Sequence, residues 1–325
     1  MTQLAEAAAT TRRSRVLPLL AIAITVVLWA SAFVAIRYVG RDVSAGPMAL
    51  GRLLVASILL GLWVFLTDRS SRRRGGDGSS AISAGSTDPQ PLRRWPDRRG
   101  WLLLASCGAV WFGGYNIALN EAERRIDAGT AAMLVGIGPI LIALLAGLLL
   151  REGLPPAVLL GCAIAFAGVV IIAIPSGPGS SSDALGVVLG VASAVAYAVG
   201  VVVQKPLLTT TSAPRVTWLA CTIGLVVCLP FAPALLRELG TASTASIAWI
   251  VYLGAMPTAL AFTTWAYALA RSTAGRLGAT TYLVPPLAVL MGWVLLAERP
   301  AALAFVGGAV CLLGVYVARR TRSRA

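Results

Sequence analysis

Apolar residues along this chain gather in long unbroken blocks, separated by short polar or basic stretches. They do not alternate with polar residues as in a barrel strand, so the blocks read as helices. Ten blocks stand out, at 17–39, 47–66, 101–120, 128–150, 156–174, 184–204, 216–236, 246–270, 276–297 and 301–318. Each is close to the roughly 20 residues that a tilted helix needs to cross the hydrocarbon. The stretch "TRRSR" before the first block and "ASA" within it resemble a signal peptide. The block continues through "FVAIRYV", however, and further blocks follow, so it reads as a membrane span. The expected fold is all-α, a polytopic integral membrane protein with ten transmembrane helices.

Composition supports this class. Hydrophobic residues make up 58% of the chain, charged residues 12%, and mean hydropathy is +0.82. A soluble domain carries about 25% charged residues. The net charge of +14 does not point to nucleic acid, because the basic residues sit in loops and tails between apolar blocks. With the N terminus in the cytoplasm, only Arg37, Arg41, Arg124, Arg125, Arg237 and Arg299 fall on the far side, Arg52 apart. This positive-inside bias places both termini in the cytoplasm. Residues 1–16 read as a disordered tail and 319–325 as a short basic one. Residues 67–99, rich in Ser, Gly, Pro and Arg, read as a disordered cytoplasmic loop. The loop's bland role is a solvated linker, and its arginines also suit anionic lipid headgroups.

An internal repeat organises the blocks. The stretch from Ala128 to Val169 aligns without a gap with the stretch from Ala274 to Val315, at an offset of 146. Gly129/Gly275, Pro139/Pro285, Glu152/Glu298, Gly161/Gly307 and Gly168/Gly314 coincide. Five blocks separate the copies, an odd number, so the two five-helix repeats are expected to be inverted relative to each other. The first half is then 17–174 and the second 184–318. Inverted halves are a transporter architecture, with substrate held near the midplane between them.

"VVLWASAFVAIRYVGRDVSAGPMALGRLLVASILL" supplies Trp29, Ser31, Phe33, Pro47 and Arg52, and the last two helices supply a Pro…Gly…Glu…Gly…Gly pattern. In these features the chain resembles the EamA-type transporters of the drug/metabolite transporter superfamily, from about residue 20 to 318. The resemblance implies ten helices in two inverted halves in a bacterial cytoplasmic membrane, and transport of a small molecule, more often export. The long loop 67–99 departs from the family's usual short connection.

Candidate residues follow from what is costly inside a membrane. Arg52 sits in an apolar run, and a charge at a helix centre costs about 2.5–3.5 kcal/mol on insertion scales. Two roles remain open for it: anchoring helix 2 to carbonyls or to Asp42, or facing an anionic group in the pathway. Glu152 and Glu298, each before a turn, suit capping of the helices that follow. Pro139, Pro285 and Pro286 mark kinks, either static or gating. The polar and aromatic residues at depth are Trp29, Ser31, Trp111, Tyr115, Asn116, Asn120, Tyr197, Gln204, Trp265, Tyr267, Thr280, Thr281 and Tyr282. From these and Arg52, the substrate-cavity candidates are Trp29, Ser31, Arg52, Tyr115, Asn116, Tyr197 and Tyr282.

Absences narrow the chemistry. There is no histidine, the five cysteines form no CxxC pair, and all thirteen acidic residues fall in loops, tails or helix ends. No metal site, cofactor or catalytic residue is expected, and no carboxylate relay is visible within a span. An enzyme is disfavoured because Lys205, the single lysine, has no evident serine partner. The expectation is a secondary transporter that moves a small neutral or zwitterionic, amino-acid-like metabolite by alternating access, with export favoured. The alternatives are a flippase for a lipid-linked metabolite and a multidrug efflux carrier.

Overall fold

The computed structural model describes residues 2–74, 95–149, 156–173, 183–298 and 302–320. We label the helices α1 (Thr2–Val39), α2 (Ala45–Arg74), α3 (Arg98–Arg125), α4 (Ala128–Leu149), α5 (Pro156–Ala173) and α6 (Ala184–Leu207). α7 (Ala213–Leu239), α8 (Thr244–Ala270), α9 (274–296) and α10 (Ala302–Arg320) complete the order. Every regular element among the described residues is helical. Among the described residues, seven helices are long and apolar enough to cross a membrane: Leu17–Val39 of α1, Ala45–Arg69 of α2, α3, α4, α6, α7 and α8. Thr280–Leu296 and Phe305–Gly314 are shorter apolar helices. The chain is a multi-pass membrane protein.

Local chemistry sets the helix starts. Asp97, Asp127, Asp183 and Ser243 directly precede α3, α4, α6 and α8, and each side-chain oxygen accepts from a backbone N–H of the first turn. These contacts satisfy donors that a helix cannot pair internally.

The helices run beyond the expected blocks at three places. Helical backbone runs back to Thr2, through "LAEAAA", which is rich in the strongest helix former. α2 continues to Arg74, well into the expected loop 67–99; residues 75–94 of that loop lie outside the described residues. α3 reaches Arg125, five residues past the expected end, which brings its last turn into the bundle.

Two constant offsets relate the helices. The ends of α1 and α6, Val39 and Leu207, and the starts of α2 and α7, Ala45 and Ala213, are each 168 apart. The starts of α3 and α8, α4 and α9, and α5 and α10 are each 146 apart. The longer connection between α2 and α3 accounts for the difference. α3 and α8 each contain a π-helical stretch, Cys107–Gly114 and Gly254–Leu260, whose last residues are again 146 apart.

Packing repeats at these offsets too. A Cβ on Gly108 would lie 2.5 Å from Ile223 Cβ and 2.8 Å from the Ala220 carbonyl oxygen. A Cβ on Gly254 would lie 2.5 Å from Val55 Cβ and 2.6 Å from the Arg52 carbonyl oxygen. α5 and α10 cross at Ala165 and Cys311, 146 apart, with Cys311 Sγ 3.3 Å from the Ala165 carbonyl oxygen. On either side of that crossing, a Cβ on Gly168 would meet the Gly307 carbonyl at 2.6 Å, and one on Gly314 the Gly161 carbonyl at 2.5 Å. In lipid, such backbone-to-backbone approach is the main source of helix association, and only glycine permits it here.

Candidate functional site

A cavity lies among α1, α2, α3, α4, α6, α8 and α9. Its walls are Trp29, Ala32, Phe33 and Ile36 from α1, Arg52 from α2, and Trp111, Tyr115 and Leu119 from α3. Ala132, Val135 and Gly136 of α4, Tyr197 of α6, Phe262 of α8, and Thr281, Val284 and Pro285 of α9 close it. Its free volume is small, about 40 Å³.

Aromatic rings dominate the lining. Trp29 lies edge-on to Tyr197, with centroids 5.9 Å apart, and 5.3 Å from Phe262. Trp111 lies 5.6 Å from Tyr197 and 5.0 Å from Phe262. These separations suit tilted and edge-to-face pairs. Trp29 and Tyr197 are themselves 168 apart, so matching positions of α1 and α6 face each other across the cavity. Small residues make room for them. A Cβ on Gly138 would lie 2.5 Å from the Tyr197 ring, and one on Gly200 would overlap the Trp111 side chain.

Breaks in α4 and α9 border the same space. α4 turns at Gly136 and Ile137 and restarts at Gly138, with Pro139 in the new first turn. α9 passes through a 3-10 turn, Ala279–Leu283, and restarts at Val284 with Pro285 and Pro286 in its first turn. Proline is tolerated there because the first N–H groups of a helix have no internal acceptor. The prolines therefore mark the restarts of two discontinuous helices, and Gly136 and Pro285 bring those breaks to the cavity wall.

Arg52 is the charged residue of the lining. It is 3% exposed, and its Nε donates to Thr258 Oγ1 at 3.1 Å. Thr258 lies in the π-helical stretch of α8, and its hydroxyl donates in turn to the Leu253 carbonyl, five residues back. The anchor suggested by the sequence, Asp42, is engaged elsewhere. It accepts from the hydroxyls of Ser246 at 2.6 Å and Ser243 at 2.8 Å, which tie the α1–α2 connection to the start of α8.

One turn beyond Leu119 on α3 lies Glu123, with 0% exposure and no hydrogen-bond partner at either carboxylate oxygen. The sequence gives no sign of this, because the apolar run ends at Asn120 and "EAERR" reads as a solvated helix end. α3 carries that turn into the bundle. Arg37, at the end of α1, donates from its terminal nitrogen to the Glu123 backbone carbonyl at 2.7 Å and from Nε to Glu298 Oε1 at 2.6 Å. Glu298 Oε2 also accepts from the Ala128 N–H at 3.4 Å, at the start of α4. A polar pocket lined by Arg37, Gly40, Arg41, Glu121, Arg124, Arg125 and Glu298 opens above this cluster. The tie has a match. Lys205 of α6, 168 residues after Arg37, donates to the Leu269 carbonyl at 2.6 Å, and Leu269 is 146 residues after Glu123.

Of the sequence candidates, Trp29, Arg52, Tyr115, Tyr197 and Pro285 line the cavity. Ser31 does not: its hydroxyl pairs with Tyr252 at 2.6 Å, on a side of α1 facing α8. Asn116 is buried and donates to the Phe112 carbonyl of its own helix. Tyr282 packs outside the cavity, and its neighbour Thr281 lines the wall instead. Glu298 bridges Arg37 and α4, and residues 299–301, between it and the α10 start it was expected to cap, lie outside the described residues. Glu152 also lies outside the described residues. Trp111, Phe262 and Glu123 are the main residues that sequence reasoning passed over as site candidates.

Comparison with known proteins agrees with this architecture. The chain is 38% identical over 306 residues to a protein of Streptantibioticus cattleyicolor named "Probable terminal-alkyne amino-acid exporter", covering 94% of each. It is 29% identical to an uncharacterised transporter of Archaeoglobus fulgidus, covering 93% of this chain and 98% of that one. An Escherichia coli "Probable amino-acid metabolite efflux pump" is 26% identical over 66% of this chain and 75% of its own length. A solved crystal structure at 21% identity covers 95% of this chain and 99% of its own with a TM-score of 0.59, a likeness of fold alone. The EamA-like transporter family matches residues 16–174 and again 184–320. Two family matches spanning nearly the whole chain, on a multi-pass helical scaffold, mean that this protein belongs to the EamA-like transporter family.

Proposed function

We propose that the chain is a secondary carrier that exports a small amino-acid-like zwitterion across the cytoplasmic membrane. Ten membrane crossings would form two inverted five-helix halves that alternate access to the cavity between them. The N terminus would be cytoplasmic, which puts Arg37 and Glu298 at the outer face. The observation that carries this reading is Arg52: a buried guanidinium with one hydrogen bond, set in an otherwise aromatic and aliphatic wall. Only Nε is engaged, so the terminal nitrogens remain to hold a carboxylate in the paired geometry that guanidinium favours. The rings of Trp29, Trp111, Tyr197 and Phe262 suit a compact apolar side chain. The relative named as a terminal-alkyne amino-acid exporter supports that class of cargo. The repeated offsets support the two-half arrangement, since inverted halves place a substrate site at their interface.

Counterflow in proteoliposomes tests the reading, with labelled propargylglycine, a terminal-alkyne amino acid, as the probe. Saturable exchange that unlabelled propargylglycine and leucine compete for is expected, and lipophilic cations should not compete. Exchange of cationic dyes without amino acids would replace this reading with a multidrug carrier. Translocation of a lipid-linked metabolite without soluble exchange would replace it with a flippase.

A further inference from the structure

We propose that Glu123 is the carboxylate at which the ammonium group of the substrate displaces a proton, making the carrier a proton/zwitterion antiporter. This rests on the carrier reading above. Glu123 is fully buried, and neither of its oxygens has a hydrogen-bond partner. A buried carboxylate in that state is costly, and two events remove the cost: addition of a proton, or arrival of a cation. The charged and titratable groups around it are Arg37 on α1, Arg52 on α2, Tyr115 on α3, Asp127 before α4 and Glu298 before α10. None donates to its oxygens. Arg37 is engaged by Glu298 and by the Glu123 backbone carbonyl, and Arg52 by Thr258.

Its placement suits a zwitterion. Glu123 follows Leu119 by one helical turn, and Leu119, Tyr115 and Arg52 all line the cavity. The anion site is thus in the cavity wall, and the cation site lies one helical turn beyond that wall along α3.

The offsets separate scaffold from site. The ties made by Arg37 and Lys205 recur at matching positions, as do the glycine contacts and the π-helical stretches. Arg52, Thr258 and Glu123 do not recur: their matching positions hold Ala220, Phe112 and Leu269. The fold thus does not require polar groups at these positions, and their coincidence in one place points to a ligand. At the outer face the departing ammonium is replaced by a proton entering through the polar pocket of Arg37 and Glu298. At the cytoplasmic face an arriving ammonium takes the carboxylate, and that proton leaves to the cytoplasm. No covalent bond of the substrate changes.

The test uses the intact purified protein in weakly buffered detergent, with propargylglycine as the probe and a pH dye as the readout. Wild type is expected to release up to one proton per propargylglycine bound. Pent-4-ynoate, which lacks the ammonium group, should release none. Propargylglycine binding should weaken about tenfold per pH unit on the acid side of the release midpoint. Glu123→Gln should abolish release and this pH dependence, and Glu123→Asp should keep release. If wild type performs counterflow yet releases no proton between about pH 5 and pH 9, the antiport proposal is overturned while the carrier reading stands. Proton release that persists in Glu123→Gln overturns the assignment to this residue. Absence of counterflow in wild type removes the carrier reading itself.

Discussion

Arg52 on α2 and Thr258 on α8 form a buried polar couple, Nε to Oγ1 at 3.1 Å, where the matching positions of the other half hold Ala220 and Phe112. The couple joins a backbone break in α8 to the one cationic group in the cavity wall. Thr258→Val keeps the shape and removes the acceptor. A hydrogen bond to a charged group contributes about 1.5–3 kcal/mol. Counterflow by Thr258→Val should therefore fall by roughly tenfold or more. Arg52→Lys should fare little better than Arg52→Ala, because a point charge cannot replace the planar fork. Equal counterflow by wild type and both Arg52 variants would remove the guanidinium from the site.

On the proposed carrier reading, the aromatic lining sets the size of the cargo. Trp111 is fully buried, and its side chain fills the space left open by Gly200. Trp111→Ala should open a void and cost about 3–5 kcal/mol of stability. The milder Trp111→Leu should fold and shift competition toward bulkier amino acids. A panel of unlabelled competitors in the counterflow assay reads this shift directly. An unchanged ranking would place Trp111 outside the specificity pocket.

The crossing of α5 and α10 depends on glycine. Gly168→Val should force the two backbones apart and destabilise the protein by about 1–3 kcal/mol, the usual cost of overpacking. Gly314→Val should match it, since the two contacts are equivalents. Gly292→Ala is the control, because a Cβ there meets nothing nearer than 3.9 Å. Melting in detergent micelles distinguishes these outcomes, and a lower midpoint for the control than for the valine variants would contradict the packing argument.

Arg37 and Glu298 hold the end of α1 against the start of α4. Both side chains are partly exposed, so the pair is worth at most about 1 kcal/mol. Glu298→Gln should raise thiol labelling at a cysteine replacing Tyr115 by about threefold to fivefold, in a background lacking the native cysteines. Labelling that does not change would mean that this pair does not control access to the cavity.

Asp42 lies in the connection before α2, and its carboxyl is held below the usual carboxylate range by hydrogen bonds from Ser246 and Ser243. A group whose folded-state value is depressed adds stability above its unfolded value and loses it as pH falls through the folded one. Acidification below about pH 4 should therefore loosen the contact between the α1–α2 and α7–α8 connections. Asp42→Asn should show a smaller acid-induced drop in melting temperature than wild type.

Much of the scaffold is legible in the sequence, because membrane spans announce themselves by length and continuous hydrophobicity. The α-helical class and the positions of most helices follow from that signal, and the 146-residue offset follows from the coinciding Gly, Pro and Glu positions. The 168-residue offset is not legible by eye, since the loop between α2 and α3 shifts the register and α1 and α2 share few identities with α6 and α7. Arg52, Trp29, Tyr115 and Tyr197 could be nominated because polar or large aromatic groups at depth are costly unless they face protein. Ser31 and Asn116 satisfy the same criterion but bond to Tyr252 and to the helix backbone. Sequence depth cannot separate these two ways of satisfying a polar group. Glu123 was hidden for the opposite reason: its neighbours Glu121, Arg124 and Arg125 are charged, and only the helix rotation decides that one of the four turns inward.

The small size of the cavity has an energetic consequence. Ligand pockets usually enclose about 300–1,000 Å³, against about 40 Å³ here. Trp29, Trp111, Tyr197 and Phe262 pack against one another here, so on the proposed reading a cargo molecule enters only after these rings separate. Measured affinity will then combine contact energy with the rarity of the open form. If only about 1% of molecules are open, the apparent dissociation constant is about a hundredfold weaker than the intrinsic one. Substitutions that trim this aromatic stack can therefore tighten apparent binding without adding any contact to the cargo.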